Sequence, residues 1–141
     1  EYLENALLQY HIGGAMYRLG GAKELQETFR YMQTHSKIPL LIGANLEYGG
    51  AGIALEGTYF GSQMFVAATG DSEQAYRLGK ISCSEGKAVG CNWSFAPVAD
   101  IDLNYHNPIT NTRTYGNNAD FVLKCGLAYK RERMKRALQL P

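Results

Sequence analysis

The chain has 141 residues, 45% of them apolar and 19% charged, with a formal net charge of +1. That balance suits one globular domain or a large piece of one, and it excludes a disordered chain. It also excludes a strongly basic surface, so no nucleic acid and no anionic membrane is expected as a partner.

No stretch approaches the roughly 20 apolar residues of a membrane span. Cys83, Cys91 and Cys125 form no C-x-x-C pair, which predicts reduced thiols rather than a disulfide framework or a zinc centre. The chain opens on Glu1 without Met, which leaves room for a removed upstream signal. Its compartment stays open, with the cytoplasm as the default.

The elements follow three cycles of apolar run and helical period. Leu3, Ala6, Leu7 and Tyr10 recur at helical spacing, and His11 to Tyr17 (HIGGAMY) reads as a short buried strand. From Ala22 to His35, Leu25, Phe29 and Met32 make the apolar stripe of an amphipathic helix. Ile38 to Ala44 (IPLLIGA) is a continuous apolar run, which predicts a strand covered on both faces. The segment from Ala51 to Thr69 has no period and reads as a long, Gly-rich functional loop.

Asp71 and Gln74 then make a candidate capping box. Ala75, Leu78, Gly79 and Ser82 form a small-residue stripe suited to lying close on a sheet, and Gly90 is a natural residue just past the helix end. Asn92 to Ala99 (NWSFAPVA) predicts a third strand, Asp102 to Asn118 a second long polar loop, and Asp120 onward a helix with Val122 and Gly126 at i and i+4. The basic run Lys130, Arg131, Arg133, Lys135 and Arg136 reads as a solvated helix face.

Alternating apolar strands and helices mean parallel β-α units, with ligands expected where the long loops converge at the C-terminal ends of the strands. Two polar clusters sit there. The first is Asn45, Glu47, Gly49 and Gly50: an amide and a carboxylate two residues apart on extended chain point to one side, and the glycines permit a sharp turn. The bland alternative is that Glu47 pairs with a cation.

The second cluster is Asp100 with Asn107, Pro108, Asn111, Arg113 and Tyr115. The planar donor fork of Arg113 suits the paired oxygens of a sugar, and Asp100 either orients that fork or touches the ligand. His106 has no metal-site spacing, no metal or cofactor is expected, and the GGAG of 49 to 52 lacks the complete nucleotide fingerprint.

The stretches HIGGAMY (11 to 17), IPLLIGANLEYGG (38 to 50), AATGDSEQAYRLGKISCSEGKAVGCNWSFAPVADID (67 to 102) and NPITNTRTYGNNADFV (107 to 122) resemble the N-terminal barrel domain of glycoside hydrolase family 3. The N-P-x-x-x-x-R loop is more similar to the β-N-acetylhexosaminidase branch than to the β-glucosidase branch. The resemblance implies an α/β fold: a partial (β/α)₈ TIM barrel, roughly its first three parallel β-α units, spanning 1 to 141.

It implies a retaining glycosidase acting on terminal β-linked sugars, with a carbohydrate substrate. Arg113 matches a family residue that binds the terminal sugar. Asn45 stands where the family normally has an Asp, a departure that keeps a hydrogen bond to sugar but loses its charge. Glu47 and the two glycines keep the pattern, and Tyr48 stands where Gly or Arg is more common.

The substrate-binding set is therefore Asn45, Arg113, Glu47 and Asp100. No catalytic residue is expected in this chain, because the nucleophile and the acid/base group would follow Pro141. The alternatives are a β-glucosidase-type member and a non-catalytic carbohydrate-binding module. Self-association, or a missing C-terminal half, is expected to cover open sheet edges.

Overall fold

The computed structural model describes residues 2–137, with side chains as far as Arg131. Its elements are α1 (Tyr2–Leu8), β1 (Gly14–Met16), α2 (Ala22–His35), β2 (Leu41–Ala44), α3 (Gln63–Ala67), α4 (Ser72–Ala88), β3 (Trp93–Ser94) and α5 (Ala119–Ala137). The strands form one parallel sheet in the order β1-β2-β3, with Ala15 opposite Ile42 and Gly43 opposite Trp93. This is the mixed α/β arrangement of a partial (β/α) barrel.

The predicted strands are shorter than their apolar runs, for local reasons. In the first, His11 takes a positive φ of 48° and only Gly14–Met16 pair. Gly14 needs to be glycine, since a Cβ there would meet the Leu41 carbonyl oxygen at 2.5 Å. In the third, the Asn92 side chain stands in for the ladder: Ile42 N–H donates to its Oδ1 at 2.7 Å and its Nδ2 donates to Leu40 O at 2.9 Å.

β2 is covered on one face, not two. Leu40, Ile42 and Ala44 are buried under the helices with Leu25, Phe29 and Leu78, whereas Leu41 is 54% exposed. With Met16, Trp93 and Phe95 it borders an open apolar hollow of about 360 Å³ floored by Gly43. The run is apolar throughout because both faces are lipophilic, although only one is packed.

The expected helix signals hold in α2, where Leu25, Phe29 and Met32 are buried. The residue at its N-cap is Gly21, which has no side chain to cap with, and the orphan N–H of Ala22 donates to Glu56 at 2.8 Å. Asp71 caps α4 by accepting from Glu73 N–H at 2.9 Å, but Gln74 reaches the Asp71 carboxylate at 3.1 Å rather than its backbone, and Asp71 N–H goes to Thr69. Gly90 follows the helix with φ 97°.

The small stripe of α4 faces both ways: Ser82 donates to Leu46 O at 3.0 Å, while Gly79 lets the backbone of Tyr129 on α5 come close. On α5 the packed positions are Val122, Cys125 and Tyr129; Gly126 has open space at its Cβ position and is no part of the stripe. Of the basic run, Arg131 is half-exposed, pairs with Glu73 at 2.7 Å and lies 3.8 Å over the Tyr76 ring. The side chains of Arg133, Lys135 and Arg136, and all of Pro141, lie outside the described residues.

The segment predicted as one long loop contains α3, capped by Ser62 Oγ, which accepts from Phe65 N–H at 3.2 Å. Gln63 is fully buried and bonds the Val98 backbone twice, donating to its O at 2.8 Å and accepting from its N–H at 2.8 Å. That double bond ties the connection after β2 to the chain leaving β3.

Candidate functional site

Both strand-end clusters predicted from sequence lie on the connections that follow β2 and β3, and one contact joins them. Arg113, in the 3₁₀ turn Asn111–Arg113, donates from Nε to Glu47 Oε2 at 2.8 Å and from Nη2 to Oε1 at 2.7 Å. Glu47 is buried, at 5% exposure, and the Arg113 side chain remains 46% exposed. The pair therefore has its carboxylate in the protein and a face of its guanidinium toward solvent.

Two parallel bonds to a carboxylate fix a planar guanidinium in orientation as well as position. The bonds first, and the carboxylate charge second, raise the Arg113 pKa above its ordinary value. Arg113 Nη1 also donates to Ile109 O at 3.3 Å. Glu47 thus uses both oxygens on Arg113.

Asn45, at the end of β2, is half-buried and its side chain has no hydrogen-bond partner among the described residues. Its amide is available to a ligand. Asp100 is exposed and makes no bond to Arg113 among the described residues, so the orienting role considered for it belongs to Glu47.

The loop asparagines are used locally. Asn107 Oδ1 accepts from Ile109 N–H at 2.9 Å, and Asn111, at φ 33°, accepts from Thr112 N–H at 2.8 Å. Tyr115 is buried and its hydroxyl has no partner among the described residues. His106 is exposed and its ring lies against that of Tyr105, tilted by 36° with centroids 4.0 Å apart.

The turn after β2 depends on Gly49, as its motif suggested, and on Thr58 and Glu85, which no motif singled out. Gly49 adopts φ 115°, and a Cβ there would strike the Thr58 carbonyl. Glu85, on α4, receives the Thr58 N–H at 2.8 Å and the Thr58 hydroxyl at 2.6 Å, clamping the 50 to 58 segment. Phe60 N–H donates to Tyr48 O at 2.7 Å, and the Tyr48 and Tyr59 rings meet at 5.6 Å. Among the described residues, no group of three His, Cys, Asp or Glu side chains gathers to hold a metal, and no helix is long and apolar enough to cross a membrane.

The model of the glycosyl hydrolase family 3 N-terminal domain matches residues 1–137. A β-N-acetylglucosaminidase/β-glucosidase of Cellulomonas fimi is 43% identical over 129 residues, which cover 92% of this chain and 23% of that protein. Among solved structures, β-glucoside phosphorylase BglX, bound to 2FGlc, superposes with a TM-score of 0.88 at 44% identity over 94% of this chain and 24% of its own. A family 3 β-N-acetylglucosaminidase from Paenibacillus sp. gives a TM-score of 0.85 at 30% identity, over 94% and 27%. The chain thus spans about a quarter of the length of the curated relatives it matches.

Proposed function

Since the chain belongs to glycosyl hydrolase family 3, we propose that it carries the substrate-binding rim of a retaining glycosidase acting on terminal β-linked sugars, of the β-N-acetylhexosaminidase type. Arg113 donates to sugar oxygens from the N–H groups of Nη1 and Nη2 that Ile109 and Glu47 leave free, and Asn45 supplies an amide that both donates and accepts. Glu47 acts through Arg113. Asp100, exposed at the strand end, is the further candidate contact for the ligand.

The observation that carries the reading is the bidentate Glu47–Arg113 pair at the strand ends. A fork oriented in advance loses less entropy on binding a polyol than a free one. No residue of this chain is assigned as nucleophile or acid/base; chemistry is assigned to the whole protein, of which the rim is one part. We also propose that strands of that whole protein cover the apolar sheet face, placing residues 1–141 as the N-terminal portion of a catalytic barrel.

Titration calorimetry of the chain with N-acetylglucosamine and with glucose tests the rim. Binding that weakens about ten-fold or more in Arg113→Ala is expected, the size of a charge-assisted hydrogen bond. No binding of either sugar sinks the reading. Tighter binding of N-acetylglucosamine favours the hexosaminidase type, and tighter binding of glucose the β-glucosidase type.

A second reading comes from the phosphorylase BglX, whose identity of 44% is level with the 43% of the Cellulomonas fimi β-N-acetylglucosaminidase/β-glucosidase. In that reading phosphate, rather than water, accepts the glycosyl group in the whole protein. Phosphorus NMR separates the two, since only phosphorolysis produces a sugar 1-phosphate.

A further inference from the structure

Next to the polar rim stands an aromatic pair with no part in the core. Tyr48 directly follows Glu47 and is half-buried; Tyr59 is 70% exposed. Their ring centroids are 5.6 Å apart with planes inclined at 48°. Two segments of chain are strapped together to hold them so: Phe60 N–H donates to Tyr48 O at 2.7 Å, Ala51 N–H donates to Thr58 O at 3.2 Å, and Glu85 clamps Thr58 through its N–H and its hydroxyl. The Tyr48 phenol is also within electrostatic reach of the Arg113 guanidinium.

We infer that Tyr48 and Tyr59 form an aromatic platform for a second sugar unit, linked to the one held at Asn45 and Arg113. The inference rests on the rim being a sugar site. A pyranose ring shows C–H bonds on its faces and hydroxyls at its rim, and the negative face of an aromatic ring attracts those positively polarised hydrogens. A tyrosine adds a hydroxyl at the ring's far end for the polar edge. Tyr59 stands out toward solvent beside Tyr48, whose chain neighbour Glu47 holds Arg113, so the proposed course of the ligand runs from the polar rim across the pair.

The readout is the ratio of affinities for a disaccharide and its monosaccharide, measured by titration calorimetry on the 141-residue chain. The probes are N,N′-diacetylchitobiose against N-acetylglucosamine, and cellobiose against glucose. In the native chain the disaccharide of at least one pair binds tighter, and Tyr59→Ala lowers that ratio about five-fold, the order one aromatic contact supplies. Tyr59→Phe retains most of the ratio, and Arg113→Ala weakens both members of the pair.

A disaccharide preference that survives both Tyr59→Ala and Tyr48→Ala, or no preference at all in a chain that binds monosaccharide, overturns the platform and leaves the rim standing. A chain that binds none of the four sugars overturns the rim and the platform together. Circular dichroism of the exposed Tyr59 variants verifies that the fold is kept.

Discussion

Arg113 closes its guanidinium on Glu47 across 66 residues of chain, with the carboxylate buried and the cation half-exposed. That asymmetry predicts an unequal response to breaking the pair. Arg113→Leu leaves a buried carboxylate without its partner and is expected to cost about 1–3 kcal/mol, whereas Glu47→Gln leaves a neutral amide and a cation that water still reaches, and costs less. The double variant Glu47→Leu, Arg113→Leu should be more stable than Arg113→Leu alone. Urea unfolding of the four proteins checks the order, and equal losses in Arg113→Leu and Glu47→Gln would count against the burial argument.

Tyr115 offers the opposite case. Its hydroxyl is buried, has no hydrogen-bond partner among the described residues, and has Cys125 and Tyr129 for neighbours. Burial pushes its pKa well above the ordinary value. Tyr115→Phe removes a polar atom that has no partner and keeps the ring, so unfolding free energy is expected to stay level or rise by up to about 1 kcal/mol. A loss of more than that would show that the hydroxyl does have a partner in solution.

Much of this architecture was legible along the chain, and the parts that were not have physical reasons. The α2 stripe, the Asp71 cap and Gly90 beyond α4 are local signals, carried by residues a turn or less apart. Strand ends were misplaced because apolar runs say nothing of ladder length; Asn92 ends pairing with its own side chain. α3 escaped because five residues hold no period, though Ser62 was a usable cap signal.

At the site, residue type and position marked Asn45, Glu47, Asp100 and Arg113 as candidates, with pairing of Glu47 to a cation as one reading. Which cation it would be was not legible, because the choice of Glu47 over Asp100 as partner of Arg113 is made by how two connections pack. Glu85 was invisible for the same reason: it reads as a helix-surface acid until Thr58 is brought to it.

The Asp71 cap predicts a pH dependence. The Glu73 backbone N–H, and after it the Gln74 side chain, hold the Asp71 carboxyl below its ordinary pKa. A carboxyl with a lower pKa folded than unfolded binds fewer protons when folded, so its contribution is present above the unfolded value, about 3.9, and is lost as pH falls through the folded one. The thermal midpoint should therefore drop on acidification below about pH 4, and the Asp71→Asn variant should drop less over the same interval. Parallel curves for the two proteins would remove Asp71 from the acid response.

The open sheet face yields the last prediction. Met16, Leu41, Trp93 and Phe95 are each between 44% and 55% exposed on one side of the sheet, around the Gly43 floor. A contiguous apolar surface of this kind is driven to find cover. The 141-residue chain by itself is therefore expected to associate as concentration rises. Trp93 is the chain's one tryptophan and lies on this face, so its emission should shift to the blue as association proceeds.

Leu41→Lys changes a half-exposed side chain in the middle strand and leaves the packed neighbours Leu40 and Ile42 in place. It should raise the association midpoint about ten-fold or more, because removing one leucine from an apolar contact forfeits roughly 1.5–3 kcal/mol. Sedimentation velocity on both proteins measures the midpoint. Association that Leu41→Lys does not alter, with Trp93 emission constant, would place the contact on another surface and leave this face exposed to water.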